Sequence, residues 1–101
     1  METTITLNEQ NKSNLESLFA EIYQTSSNEE QLNRFVHMIN TDLSDKLAAS
    51  LIYHYGLDGG EVKSLDVTAK EFGMGRERMR QHLSKSIIIL RGPIIRKYIF
   101  Q

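Results

Sequence analysis

Three arginines and a glutamine are concentrated in one short stretch of the C-terminal half of the chain. The stretch contains Arg76, Glu77, Arg78, Arg80 and Gln81, and it falls at the start of a predicted helix. Arginine can donate paired hydrogen bonds to guanine, glutamine can pair with adenine, and glutamate can accept from the cytosine amino group. Positive charge at a helix N-terminus opposes the helix dipole, so this placement has a local cost. Because the placement is unfavourable for the helix, it indicates that these side chains have a functional role. Readout of DNA bases is the chemistry that fits them.

Two predicted helices joined by a tight turn would position this stretch. Ser64 can cap a short first helix. Gly73 can take the positive φ that a tight turn needs, and a second helix runs from Arg76 to about Arg91. Their inward residues are Leu65, Thr68, Ala69 and Phe72 on the first helix, and Met79, Leu83, Ser86, Ile87 and Leu90 on the second. This order is typical of a helix-turn-helix, whose second helix meets the base edges.

The segment from about Leu43 to Pro93 resembles region 4 of bacterial sigma-70 family RNA polymerase sigma factors. The run from Gly75 to Gln81, Gly-Arg-Glu-Arg-Met-Arg-Gln, carries most of the likeness. The resemblance implies binding to the -35 element of double-stranded promoter DNA, and docking of the helix before the motif on the β-subunit flap of RNA polymerase. It also implies roles for single residues: Arg76, Glu77, Arg80 and Gln81 at bases, Arg78 nearer phosphate, Lys85 and Arg91 as backbone or solvent charges.

The chain departs from the family pattern at several positions. Gly75 stands where the family usually has serine or threonine, and His82 replaces an apolar residue. Ile88 and Ile89 replace basic residues. Nothing in residues 1–42 resembles the region that binds the -10 element and melts DNA. The chain is therefore not expected to be a complete sigma factor, and whether a companion sigma subunit supplies melting stays open.

Apolar stripes at helical spacing predict three further helices and an all-α fold. The stripes are Leu15, Leu18, Phe19, Ile22 and Tyr23; Leu32, Phe35, Val36 and Ile39; and Leu47, Ala48, Leu51, Ile52 and Tyr55. The predicted caps are Thr6 with Glu9 or Ser13 with Glu16, then Ser27 with Glu30, then Ser44, and Gly56 at the third helix's end. At 101 residues we expect one domain: N-terminal helices (1–42), the helix-turn-helix (43–93) and an apolar tail (94–101).

The net charge of -1 hides an uneven distribution along the chain. Residues 1–60 carry three basic and nine acidic side chains, whereas residues 61–101 carry nine basic and four acidic ones. The basic half suits a polyanion and favours a DNA-binding transcription regulator. The acidic half and the pI of about 6.3 favour the alternative, an anti-sigma, co-sigma or polymerase-binding module with little DNA binding. Both interpretations stay open at this point.

Other chemistry finds little support in the sequence. The chain has no cysteine, which excludes a disulfide framework and a thiol nucleophile. Its three histidines lie on separate predicted helices without a metal-binding spacing. We therefore expect no enzyme activity, metal or cofactor. The longest apolar run, Ile87 to Leu90, is far shorter than a membrane span, so we expect a cytoplasmic protein without membrane contact.

The C-terminal end is predicted to contact a partner. Ile94, Ile95, Tyr98 and Ile99 would fall on one side of a last helical turn, and Ile88 adds apolar surface nearby. Contiguous exposed apolar patches usually mark interfaces. We expect a two-fold homodimer or a docked partner protein, with Leu51, Tyr55, Ile88, Ile95 and Ile99 as partner-binding residues. The alternative is that the tail closes over the N-terminal helices of its own chain.

Overall fold

The fold, seen in a computed structural model, is described for residues 3–101. Within this range the chain forms six helices and no strand, which confirms the all-α prediction. The helices are α1 (Lys12–Tyr23), α2 (Glu29–Asp42), α3 (Asp45–Tyr55), α4 (Leu65–Glu71), α5 (Arg76–Leu90) and α6 (Pro93–Ile99).

The predicted stripes of α1 and α2 form the centre of the hydrophobic core. All nine of their side chains are buried. Phe19 lies edge-on to both Tyr23 and Phe35, with ring centroids 4.8 and 5.5 Å apart, an arrangement that the aromatic quadrupole favours. The core is continuous from α1 through α6, because buried side chains of every helix belong to it. The acidic and basic parts of the chain thus share one interior.

Side-chain amides fix the segment before α1. The Ile5 amide donates to Asn40 Oδ1 at 2.9 Å, and Asn40 Nδ2 donates back to the Ile5 carbonyl at 2.8 Å. Asn11 is 1% exposed, and its Nδ2 donates to the carbonyls of Thr6 and Leu57 at 2.8 and 2.9 Å. At Ile5 and Leu57, which are buried, these bonds satisfy backbone groups that would otherwise lack partners.

Several predicted helix ends are confirmed. The Ser44 hydroxyl accepts from the Leu47 amide at 3.3 Å at the start of α3, and Gly56 ends that helix with φ +63°. The predicted starts of α1 and α2 are wrong. Asn11 occupies the N-cap position of α1, and Ser13 lies inside the helix. The capping box of α2 is formed by Asn28 and Gln31, one residue beyond the predicted pair.

The tail is helical and packs within the same chain. Ile95 and Ile99 of α6 are 5% and 0% exposed, and α6 contacts α2. The Arg34 guanidinium of α2 donates to the last carbonyls of the chain, at 3.3 Å to Ile99 and 3.2 Å to Gln101. The tail therefore closes over an N-terminal helix, which was the alternative to the predicted intermolecular surface. Ile94 departs from the predicted stripe and is 85% exposed.

Candidate nucleic-acid interface

Helices α4 and α5 are joined by a tight turn whose backbone follows from its glycines. Gly73 has φ +64°, a conformation that costs other L-residues energy, so the predicted positive φ is confirmed. The Met74 amide then donates to the Ala69 carbonyl at 2.9 Å and closes the turn. Gly75 is the N-cap of α5 and offers no side chain to cap it. The first amides of α5 consequently lack a side-chain acceptor at the N-cap.

Helix α4 is held at both its start and its middle. The predicted N-cap is confirmed, because the Ser64 hydroxyl accepts from the Val67 amide at 3.2 Å. Thr68 is buried and donates its hydroxyl proton to the Ser64 carbonyl at 2.9 Å. Its oxygen therefore accepts from Nδ1–H of His54 on α3, at 2.8 Å. Burial lowers the pKa of His54, and nearby Glu21 partly opposes this. The hydrogen bond between His54 and Thr68 thus ties α4 to α3.

Helix α5 is buried along one side and exposed along the other. Met79, Leu83 and Leu90 are 0%, 6% and 0% exposed, and α5 packs against both α3 and α4. Ala69 of α4, 4% exposed, contributes to the same core. The exposed surface of α5 carries all six predicted DNA-binding residues: Arg76, Glu77, Arg78, Arg80, Gln81 and Lys85. We call these six side chains the α5 polar face.

Two arginines of the α5 polar face are engaged by carboxylates. Arg76 Nη1 lies 3.2 Å from both oxygens of Asp66, which is on α4. Arg80 donates to Glu77 on its own helix, through Nε at 3.0 Å and Nη2 at 2.5 Å. This hydrogen bond lowers the pKa of Glu77 and raises the pKa of Arg80. The face is therefore a mixed surface of cations and pre-paired charges, with the cations in excess.

The structure separates the predicted partner-binding residues. Leu51, Ile95 and Ile99 are almost completely buried in the core, so their assignment to a partner surface is wrong for this fold. For Ile95 and Ile99 the physical reason is that α6 packs its apolar side against its own chain, and Leu51 belongs to the buried side of α3. Tyr55 is half-buried, and Ile88 is 66% exposed near the end of α5. Of the five, Ile88 alone offers a largely exposed apolar side chain.

Sequence reasoning missed Asp66, and it missed His54 and Thr68 as a linked pair. Asp66 and Arg76 are ten residues apart on different helices, a separation that no helical periodicity brings together. His54 and Thr68 are fourteen residues apart across a loop. The sequence offered only the residue types as a signal: Asp66 is a carboxylate in the first turn of α4, and Thr68 is a polar residue on the inner side of that helix. Both contacts depend on the angle between helices, which the sequence pattern does not specify.

Away from the α5 polar face, the surface has shallow clefts. One lies between the end of α1 and α6, where Tyr23, Arg96 and Phe100 form its walls. Among residues 3–101, no cluster of three or more histidine or acidic side chains is placed to hold a metal ion. Over the same residues, no helix is long and apolar enough to cross a bilayer. The α5 polar face, by contrast, brings four cationic side chains together with Glu77 and Gln81 on one helix.

No protein-family model matches this chain. No solved structure matches it either. The functional conclusion therefore depends on the residues and their geometry.

Proposed function

We propose that this protein is a transcription regulator that binds promoter DNA through the α5 polar face. In this proposal α4, the Gly73 turn and α5 act as a helix-turn-helix, and α5 enters the major groove. The proposal includes recognition of a -35-type element together with RNA polymerase, which is the role implied by the likeness to sigma region 4. One observation carries it: the first two turns of α5 project three arginines and Gln81 into solvent from a helix whose other side is buried.

The dimensions of α5 suit a groove. Its 15 residues make a rod about 22 Å long, and a major groove about 12 Å wide admits one helix. The exposed side chains of Glu77, Gln81 and Lys85 follow one another along the rod. Because Met79 and Leu83 fix the buried side, the polar side chains start from a backbone that is held in place. Such support is what base readout requires.

The charge distribution also supports a polyanion as the ligand. The nine basic side chains of residues 61–101 exceed the acidic ones by five. Arg78, on the α5 polar face, has no ion pair with any described residue. A guanidinium in this state is available to phosphate at no cost in broken contacts. Arg78 therefore fits the phosphate-facing role.

The test uses a duplex selected from a randomised library by the native protein. Arg76→Ala and Arg80→Ala should each cost about 1–3 kcal/mol of binding free energy on the selected duplex and relax the base preference at one position. Lys12→Ala/Lys97→Ala removes the same charge from α1 and α6 and is the matched control for the arginine double variant. Equal binding by wild type and the Arg76→Ala/Arg80→Ala variant would exclude the α5 polar face. Co-purification with RNA polymerase subunits tests the partner.

A second candidate function is supported by Ile88. This side chain is 66% exposed on α5, and Ile94 on α6 is 85% exposed. An interaction module that binds polymerase or a sigma factor would use such residues and would need no DNA. Ile88→Ser tests this candidate: it should weaken binding to polymerase or a sigma factor and leave binding to the selected duplex as in wild type, whereas Arg76→Ala/Arg80→Ala should leave binding to the protein partner intact. A homodimer through this surface would show as concentration-dependent mass in sedimentation.

A further inference from the structure

Asp66 is placed to control Arg76, although it lies outside α5. Its carboxylate is in the first turn of α4, and both oxygens lie 3.2 Å from a single nitrogen, Nη1 of Arg76. Every side-chain hydrogen bond that Arg76 makes to a described residue uses Nη1. The edge of the guanidinium formed by Nε and Nη2 is therefore left with its donors unused. That edge is one of the two edges through which an arginine can donate paired hydrogen bonds to guanine.

The contact is weak enough to be exchanged. Arg76 and Asp66 are 68% and 69% exposed, and exposed ion pairs of this kind contribute little to stability. The distances of 3.2 Å exceed the 2.7–2.9 Å typical of a strong charge-assisted hydrogen bond. The pair of Arg80 and Glu77 differs, since it uses two nitrogens on one helix and is shorter. Of the two paired arginines, Arg76 is therefore the one whose carboxylate partner DNA can displace more easily.

We propose that Asp66 is a positioning residue for selectivity, which keeps Arg76 away from phosphate and presents its free edge to a base. This inference rests on the proposed function. On a duplex of arbitrary sequence, Asp66 occupies Nη1 and neutralises the charge, so Arg76 adds little to binding. On the correct site, guanine accepts from Nε and Nη2 while Nη1 can stay with Asp66. Asp66 therefore lowers sequence-independent affinity more than it lowers specific affinity.

The experiment measures affinity for the selected duplex and for a duplex of scrambled sequence, each over a range of salt concentrations. Asp66→Asn is the test variant, and Glu71→Gln is the matched control. Glu71 is an exposed acid on the same helix, and none of the ion pairs among the described residues includes it. Both substitutions remove one negative charge, but Asp66→Asn also releases Arg76. A second pair of variants repeats both substitutions in the Arg76→Ala background.

For Asp66→Asn we expect the ratio of specific to scrambled affinity to fall by about two- to fivefold, the range that an exposed ion pair spans. The salt dependence on the scrambled duplex should steepen by about 0.9 in log K against log salt, because one more cation meets phosphate. Glu71→Gln should leave both quantities unchanged. In the Arg76→Ala background, the two substitutions should have equal effects.

Two failures are distinguishable. If wild type binds the selected duplex and Asp66→Asn behaves like Glu71→Gln, the role of Asp66 is refuted and the proposed function stands. If wild type binds neither duplex, both the proposed function and the role of Asp66 are refuted. A merely structural role of Asp66 at the start of α4 would change the melting temperature and leave the salt dependence as it is.

Discussion

Replacement of Ile99 by alanine measures how much the packing of α6 contributes to stability. The side chain is fully buried, and alanine removes three carbon groups, which represent about 2.4 kcal/mol of transfer free energy. The cavity that remains raises the expected loss to about 3–4 kcal/mol. For a domain of this size, that loss lowers the melting temperature by about 12 °C or more. Ile94→Ala is the matched control, because the same change occurs five residues earlier at an 85% exposed position.

The assay is urea unfolding followed by circular dichroism, at two protein concentrations. We expect Ile94→Ala to change the free energy of unfolding by less than about 0.5 kcal/mol. We also expect both midpoints to be independent of concentration, since α6 packs on its own chain. If Ile99→Ala costs no more than Ile94→Ala, α6 does not pack as described. A midpoint that rises with concentration would instead place the tail in an interface between copies.

Three further predictions concern the turn, the amide contacts and pH. Gly73→Ala should cost about 1–2 kcal/mol through backbone strain alone, because a methyl group there meets no atom within 4 Å; Gly75→Ser, at φ -69°, should cost nothing in the same melting assay. Asn11→Ala should cost about 1–3 kcal/mol in urea unfolding, since it leaves carbonyls of Thr6 and Leu57 without their donor; exposed Asn33→Ala is its control. Because burial lowers the pKa of His54 below 6.5, the unfolded chain binds a proton that the folded one does not, and the free energy of unfolding should fall as pH drops through 6.5 and level off below the folded pKa. Urea unfolding at pH 7.5 and pH 5.5 checks this, and an equally large pH effect in His54→Gln would contradict it.

Helical periodicity predicted much of the fold because burial is repeated at each turn. The stripes of α1 and α2 are buried without exception. The single-residue signals at Ser44, Ser64, Gly56 and Gly73 were also sufficient, since each acts on its immediate backbone. The exposed residues of α5 followed from the same periodicity, as the complement of its buried side. Local rules therefore predict helices, caps and which side of a helix faces solvent.

Contacts between distant elements could not be predicted in this way. A stripe on α6 indicates that Ile95 and Ile99 need cover, but it does not say whether α2 or a second molecule supplies it. Asn11 is a further example. Its sequence neighbours suggest capping boxes at Thr6 and Ser13. In the structure its side-chain amide instead donates to the Leu57 carbonyl, 46 residues away. Asp66 and Arg76 meet for the same reason, through the angle between two helices.

The turn after α3 is held by amides that recognise backbone and not side chains. Asn11 Nδ2 donates to the Leu57 carbonyl, and Asn14 Nδ2 donates to the carbonyls of Gly56 and Gly60 at 2.9 and 3.1 Å. A methyl group on Gly56 would lie 2.4 Å from the Gly60 carbonyl oxygen. Carbonyls are common to all residues, so related chains can change the exposed side chain of Glu61 without losing these hydrogen bonds. They cannot change the number of residues, because one insertion would move every carbonyl out of register with α1.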